Sequence, residues 1–350
     1  MALQNFVDQV GPIVLSAWLN PVDQAINGNP ASGQGAYLIP AKPSTGLPGA
    51  NVGAQLDEAS VFIATVGSSI NSYSAGNRII NSALRINQRF GGSAQTVIAG
   101  AAAVYCADRF YISSSANNIT TGNSGGRLYF SNSGSATAVV FGQKIELASI
   151  FDLVGQTCTL GIGLSVPTGG TLSATLSIYN ATSPDNWTFG RALVGSTNIT
   201  LTTTQTIFPY TFIPPSPGAL NGLSFELSVP SLGSGQTVYV TQPTLTPGSI
   251  VYPFQSAPIA NEILACNRFY AQGTARLQAY GAAGGINKAV IQYPTQMHAA
   301  PTVALGTLTS TNVTSSAASE IDITQFSFTA TSTALGAFYA NQTWAASSEL

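Results

Sequence analysis

From Gly76 onward the chain is a succession of short apolar runs, most of them closed by a cluster of Gly, Asn, Ser or Pro. That punctuation constrains the fold more than any other feature. An amphipathic helix needs roughly ten or more residues of unbroken 3.6-residue periodicity, whereas a strand needs only about 4–8 residues between turns. The runs predict strands at 78–86, 105–112, 127–131, 136–146, 157–165, 171–179, 198–203, 206–213, 223–229 and 237–246. Strands in this number and at this spacing point to a β-sandwich or jelly roll. A short connecting helix is expected within 255–268, with Pro258 near its start and Glu262 in its first turn. A smaller β region follows, with strands near 269–280, 288–293, 302–308 and 326–334 and a last one through 337–343. The expected class is all-β: a jelly-roll β-sandwich over 77–265 and a small β domain over 266–350, preceded by a partly helical segment over 1–76.

The composition fits packed strands and little else. Hydrophobic residues make up 45% of the 350 residues and charged residues only 7%, against roughly 25% in an ordinary globular protein. Disorder combines low hydrophobicity with high charge, which is the opposite balance. The mean hydropathy of +0.24 is spread over short runs, none reaching the ~18 apolar residues of a membrane helix, so no membrane insertion is expected. The net charge is −2 and there are three lysines, Lys42, Lys144 and Lys288. A nucleic-acid surface would need clustered Lys and Arg, so no nucleic-acid partner is expected. Cys106, Cys158 and Cys266 are widely spaced and odd in number. They read as buried thiols and not as a disulfide framework. The N-terminus lacks a basic stretch and does not read as a secretory signal.

Residues 1–76 differ from the rest. Leu3, Phe6, Val7 and Val10 are at helical spacing before Gly11-Pro12. A second short helix starts either at Asn20, with Pro21 at its first position, or at Ser16. Residues 28–54 are dense in Gly, Pro, Ala, Ser and Asn and read as an extended linker. Leu56, Ala59, Ile63, Val66, Ile70 and Tyr73 then follow at spacings of 3, 4, 3, 4 and 3. That is the seam of a coiled coil, whose narrow stripe implies association with copies of itself. The alternative for part of this stretch is a strand at 60–66.

Few residues could perform chemistry. His298 is the one histidine, with no second His or Cys nearby, so neither a zinc site nor a Ser-His-Asp set assembles readily. It reads as a surface or interface side chain. Acids are sparse for a glycosidase pair, and Asp108-Arg109 and Lys144 with Glu146 read as ion pairs between near neighbours. Glu320 and Asp322 would share one strand face, as a metal pair or, more simply, a solvated edge. No Gly-rich phosphate loop or HExxH sequence occurs. No catalytic residue, metal or cofactor is expected. Sugar binding asks less: an exposed ring for the sugar face and polar groups for its hydroxyls. The stretch from Tyr179 through Asp185, Asn186 and Trp187 reads as a polar loop carrying large aromatics, and these four residues are the candidate glycan contacts. The alternative is that Trp187 closes the end of the sandwich.

Two groups of motifs carry a family resemblance. Asn5-Phe6-Val7-Asp8 followed by Trp18-Leu19-Asn20-Pro21-Val22-Asp23 resembles the opening of bacteriophage tail-fibre and tail proteins. Asn77-Arg78-Ile79-Ile80-Asn81-Ser82, Arg85-Ile86-Asn87-Gln88-Arg89, Asp108-Arg109-Phe110-Tyr111, Gln143-Lys144-Ile145-Glu146 and Cys266-Asn267-Arg268-Phe269-Tyr270 are similar to a phage jelly-roll domain described as carbohydrate-binding. Pro294-Thr295-Gln296-Met297, Ala300-Pro301-Thr302 and Glu349-Leu350 resemble the C-terminal part of the same family. The resemblance implies a virion structural protein, assembled in the bacterial cytoplasm and located on the virion. It would dock through Phe6, Val7, Trp18, Leu19 and Asn20 onto other tail, baseplate or head proteins. It would form a homotrimer through Leu56, Ala59, Ile63, Val66 and Ile70, and recognise a host-surface glycan with its β domains. A purely structural head-decoration, collar or baseplate component is the alternative, and a polysaccharide depolymerase a third reading.

Overall fold

The computed structural model describes residues 76–349, Gly125 excepted. The proposed anchor residues Phe6, Val7, Trp18, Leu19 and Asn20, and the self-association stripe Leu56, Ala59, Ile63, Val66 and Ile70, lie outside the described residues. The fold is all-β, and its larger body is a jelly-roll sandwich of two six-stranded antiparallel sheets. One sheet runs, in spatial order, β1 (Gln95–Val97), β4 (Ile119–Ser124), β5 (Arg127–Asn132), β12 (Thr237–Pro247), β7 (Cys158–Ser165) and β10 (Thr206–Phe212). The other runs β2 (Val104–Ala107), β3 (Phe110–Ser114), β6 (Thr137–Ile145), β11 (Leu223–Leu232), β8 (Leu172–Ser183) and β9 (Asn186–Leu201).

Alternation along each strand sends one set of side chains between the sheets. In β5, for example, Leu128, Phe130 and Asn132 are buried while Arg127 is exposed. The centre of the core is aromatic. Phe110 stacks on Phe141 with ring centroids 5.4 Å apart, and Phe225 meets both edge-on at 6.4 and 6.5 Å. Cys106, Cys158 and Cys266 are buried and unpaired, as the sequence implied.

The nine-residue helix α1 (Ile259–Asn267) begins after Pro258, with Glu262 in its first turn. It leads into a smaller sandwich of two three-stranded sheets. These are β13 (Tyr270–Gly281), β18 (Gly336–Ser347) and β15 (Thr302–Thr311), and β14 (Ile286–Gln292), β17 (Gln325–Ser332) and β16 (Val313–Ser319). Tyr293, Phe326 and Trp344 form its aromatic centre, with centroids 5.5–5.9 Å apart.

The structure corrects several local expectations. The segment 78–86 is irregular and not a strand. Asn81 and Leu84 adopt positive φ, and the buried Asn81 side chain organises the turn. Its Nδ2 donates to Ile86 O (2.8 Å) and Asp108 O (3.0 Å), and its Oδ1 accepts from Arg85 N and Ile86 N. The run 105–112 is a hairpin of β2 and β3, turned at Asp108-Arg109, where Arg109 has φ 73°. The supposed polar loop from Tyr179 to Trp187 is a tight hairpin, because β8 continues to Ser183 and β9 starts at Asn186. Strands β1, β4 and β16 are not among the expected ones: β1 is only three residues long, and the Gly, Asn, Ser and Ala of β4 and β16 resemble turn composition until a partner strand supplies the pairing.

Candidate functional site

The outward side of the β2–β3–β6–β11–β8–β9 sheet carries a groove of about 400 Å³. Its floor follows directly from register. Tyr105 pairs with Tyr111, Tyr111 with Gly142, Gly142 with Glu226, and Glu226 with Ser177. These residues form one row across five strands, and Lys144, Ser224 and Tyr179 form the next. Gly142 is the constraint that shapes the floor. A Cβ there would lie 2.9 Å from Tyr111 Oη and 2.3 Å from Phe225 O, so only glycine lets the Tyr111 side chain lie across β6.

Two carboxylates face the groove, and both are held by guanidinium groups. Glu226 is buried; its Oε1 accepts the Tyr111 O–H at 2.6 Å and also bonds Arg191. Arg191 in turn lies over the Tyr179 ring, 4.1 Å from its centroid. Burial and the neighbouring Glu226 push the Tyr111 phenol well above its usual range. Glu349 accepts from Arg89 at 3.2 Å and from Arg109. The Lys144 ammonium sits 5.7 Å from the Tyr111 ring centre and 5.9 Å from that of Trp187. Burial, then the nearby Arg109, pulls its proton affinity down. Trp187 lines the same groove, and its Nε1–H is buried without an acceptor.

Of the residues proposed from sequence for a glycan, Trp187 lines the groove and Tyr179 lies beneath Arg191. The other two serve the hairpin. Asp185 Oδ1 accepts the Leu147 N–H at 2.8 Å, and Asn186 Oδ1 accepts from Thr188 N (3.0 Å) and Thr188 Oγ1 (2.6 Å). Sequence reading missed Tyr105, Tyr111, Lys144, Arg191, Glu226 and Glu349 as one site. Strand alternation and a Gly inside the β6 run, which marks a close approach, are the signals that could have found part of it.

Behind the groove, a charged junction joins the two sandwiches. Glu146 accepts from both terminal guanidinium nitrogens of Arg268 (2.5 and 3.0 Å) and has His298 Nδ1 at 3.0 Å. His298 stacks on Phe269 with ring centroids 5.1 Å apart, and the Arg109 guanidinium lies over the Phe269 ring, 3.5 Å from its centroid. Burial pushes the Glu146 carboxyl up, but the His298 and Arg268 hydrogen bonds outweigh it and hold it at about 2. The expected neighbour pairs therefore do not form. Asp108 lies 3.8 Å from Arg89 and accepts from Gln88, Arg109 pairs with Glu349, and Glu146 pairs with Arg268. Asp108 and Arg109 occupy a turn, and Glu146 lies just past the end of β6 at Ile145, so strand alternation fixes neither pair.

Glu320 and Asp322 do not share a strand face either. They lie between β16 and β17, where Glu320 binds Lys288 and Ser327 Oγ (2.5 Å), and Asp322 accepts from Thr324 and Gln325 in a turn. Among the described residues, no group of three or more His, Cys, Asp or Glu could hold a metal ion, and no helix is long and apolar enough to cross a membrane.

No family model matches the sequence, and no curated protein does. Solved structures do resemble it. A CBM4 structure is similar at 16% identity and a TM-score of 0.31 over 48% of this chain and 98% of its own. The C-terminal family 22 carbohydrate binding module of Clostridium thermocellum Xyn10B is similar at 10% identity and a TM-score of 0.29 over 52% of this chain and 99% of its own. The enzymatically active domain of tailspike protein 4 of bacteriophage CBA120 is similar at 13% identity and a TM-score of 0.30, over 49% of this chain and 21% of its own.

Proposed function

We propose that the jelly roll binds a glycan in the Tyr105–Tyr111–Trp187 groove and that the chain is a virion fibre or tail protein. The observation that carries the glycan reading is a concentration of chemistry. In a sequence with only 7% charged residues, one groove brings together Lys144, Arg191, Glu226 and Glu349 with Tyr105, Tyr111 and Trp187. Aromatic faces beside oriented polar groups suit the apolar face and the hydroxyls of a sugar ring. The groove's fixed ion pairs orient those groups before a ligand arrives, which lowers the entropic cost of binding. A glycan array of the full chain tests this. Binding that disappears in Trp187→Ala, with the fold kept by circular dichroism, supports the groove; binding unchanged in that variant excludes it.

The virion role rests on the ordered motifs described above. Docking through Phe6, Val7, Trp18, Leu19 and Asn20 means that removal of residues 1–30 abolishes incorporation into particles and leaves the sandwiches folded. Truncated chain found on particles contradicts it. A homotrimer is the proposed state, checked by sedimentation of the full chain. A purely structural component is the second reading, favoured by one observation: the small sandwich exposes Tyr280 (71%), Ile286 (67%) and Val290 (59%) on its outer faces, as a surface for protein contacts would.

A further inference from the structure

Resting on the glycan reading of the groove, we infer that the groove is a composite of both sandwiches, with Glu349 as a positioning residue that couples glycan binding to their docking. Glu349 follows β18 of the small sandwich, yet it lines the groove on the jelly roll. Ser348 carries it there: its N–H donates to Phe269 O (2.8 Å) and its Oγ–H to Arg268 O (3.0 Å). The Glu349 carboxylate then closes on Arg89 and Arg109. Each arginine also touches a groove residue. The Arg89 guanidinium lies 3.8 Å from the ring centre of Tyr270, on the small sandwich, and 4.9 Å from that of Tyr105, which lines the groove. Arg109 donates to Lys144 O at 2.6 Å. Gln88 Nε2 donates to Tyr270 O (3.2 Å), and Gln272 Nε2 donates to Gln88 O (2.7 Å), along the same seam. The Arg109 and Glu349 side chains are both buried, so neither charge stays in place without the other at small cost. Docked sandwiches hold Arg89 against Tyr105 and present Glu349 in the groove. Parted ones carry Glu349 and Tyr270 away and release Arg89. A glycan touching this end of the groove binds the docked state more tightly and, by linkage, stabilises it by the same factor. The cluster of Glu146, Arg268 and His298 holds a second part of the joint without lining the groove. It can therefore weaken docking without touching a bound sugar.

The test compares Glu349→Gln, Glu146→Gln and Phe338→Leu with the wild type, all as full chains, by calorimetric titration at a temperature where each is folded. The probes are cellohexaose, xylohexaose, mannohexaose and sialyllactose. Glu349→Gln is expected to weaken binding about 5- to 150-fold, the usual range of a coupling between sites, and Glu146→Gln by about 5-fold or more. Phe338 pairs with Ala279, roughly 30 Å along β13 from Phe269. Phe338→Leu weakens the small sandwich's core and leaves affinity within about 2-fold. In the wild type, a bound probe slows hydrogen exchange at the Phe269, His298 and Ser348 amides, whose bonds hold the joint; this arm needs no variant to fold. Weakening in Glu349→Gln alone, with those three amides unmoved by the probe, makes Glu349 a simple sugar contact and overturns the coupling. Equal weakening in all three variants overturns it as well, since lost stability then explains the change. Unchanged affinity in Glu349→Gln and Glu146→Gln also overturns it; where Trp187→Ala still abolishes binding, the groove remains a glycan site and only the coupling falls. Where no probe binds the wild type, both fall.

Discussion

The two sandwiches use the same alternating strands and bury them very differently. In the jelly roll, β7 is buried from Cys158 to Ser165 on both faces. In the small sandwich, β14 alternates exposed and half-buried residues from Ile286 to Gln292. Sheet width explains the contrast. β7 lies between β12 and β10, and a Cβ at Gly161 would meet Val251, so a covering segment seals its outer side. A three-stranded sheet has edge strands in two positions of three, so inward side chains such as Leu305 and Ile291 stay partly open. The wide sheet can therefore hold a row of polar and aromatic groups rigidly on its outer face. The narrow one leaves Tyr280, Ile286 and Val290 outward without a rigid recess of charges around them.

Substitutions can break or sharpen this contrast. The largest effect is expected at Phe141, fully buried and in contact with three other rings. Phe141→Ala costs ~3–5 kcal/mol, and Leu305→Ala, half-open in the small sandwich, about 1–2 kcal/mol. Equal losses in urea denaturation would show that sheet width does not set burial energy here.

The junction comes next. Glu146→Gln leaves Arg268 and His298 facing a neutral amide and costs about 2–3 kcal/mol. The sign of its pH dependence follows from the depressed carboxyl. The Glu146 contribution is complete above its unfolded value near 4.5 and is lost as pH falls toward about 2. Between pH 5 and pH 2 the wild type should lose stability more steeply than Glu146→Gln; parallel curves would remove Glu146 from the acid response.

Gly142→Ala is expected to cost about 1–3 kcal/mol, because the new methyl displaces Tyr111 or β11, and to lower glycan affinity as well. Unchanged affinity would mean that Tyr111 does not shape the groove. The smallest effects belong to exposed rings and branches. Phe189 is 79% exposed, and Phe189→Ser and Ile286→Ser should each leave stability within about 0.5 kcal/mol. A larger loss would show that these side chains are covered in the assembled protein.

The all-β class, the connecting helix and most strand positions were legible because alternation and turn residues are local signals. Pairing was not. β4 reads Ile-Thr-Thr-Gly-Asn-Ser and becomes a strand because β1 and β5 flank it. The segment 78–86 has strand composition but folds around Asn81. The site was legible only at Trp187 and Tyr179, the large aromatics of one hairpin. Tyr105, Lys144, Arg191 and Glu226 are far apart in sequence, and strand register brings them together beside Glu349, the last carboxylate among the described residues. Ion pairing was misread for the same reason: Arg109 finds Glu349, 240 residues away, and not Asp108 beside it.

The contrast between the sandwiches is tested most directly by hydrogen exchange on the full chain, with and without the tightest glycan from the array. A glycan in the groove protects amides in 140–144, 187–191 and 224–226 and leaves 276–280 and 337–341 unchanged. Protection confined to 276–280 and 337–341, on the outer face of the small sandwich, would contradict a glycan site on the jelly roll.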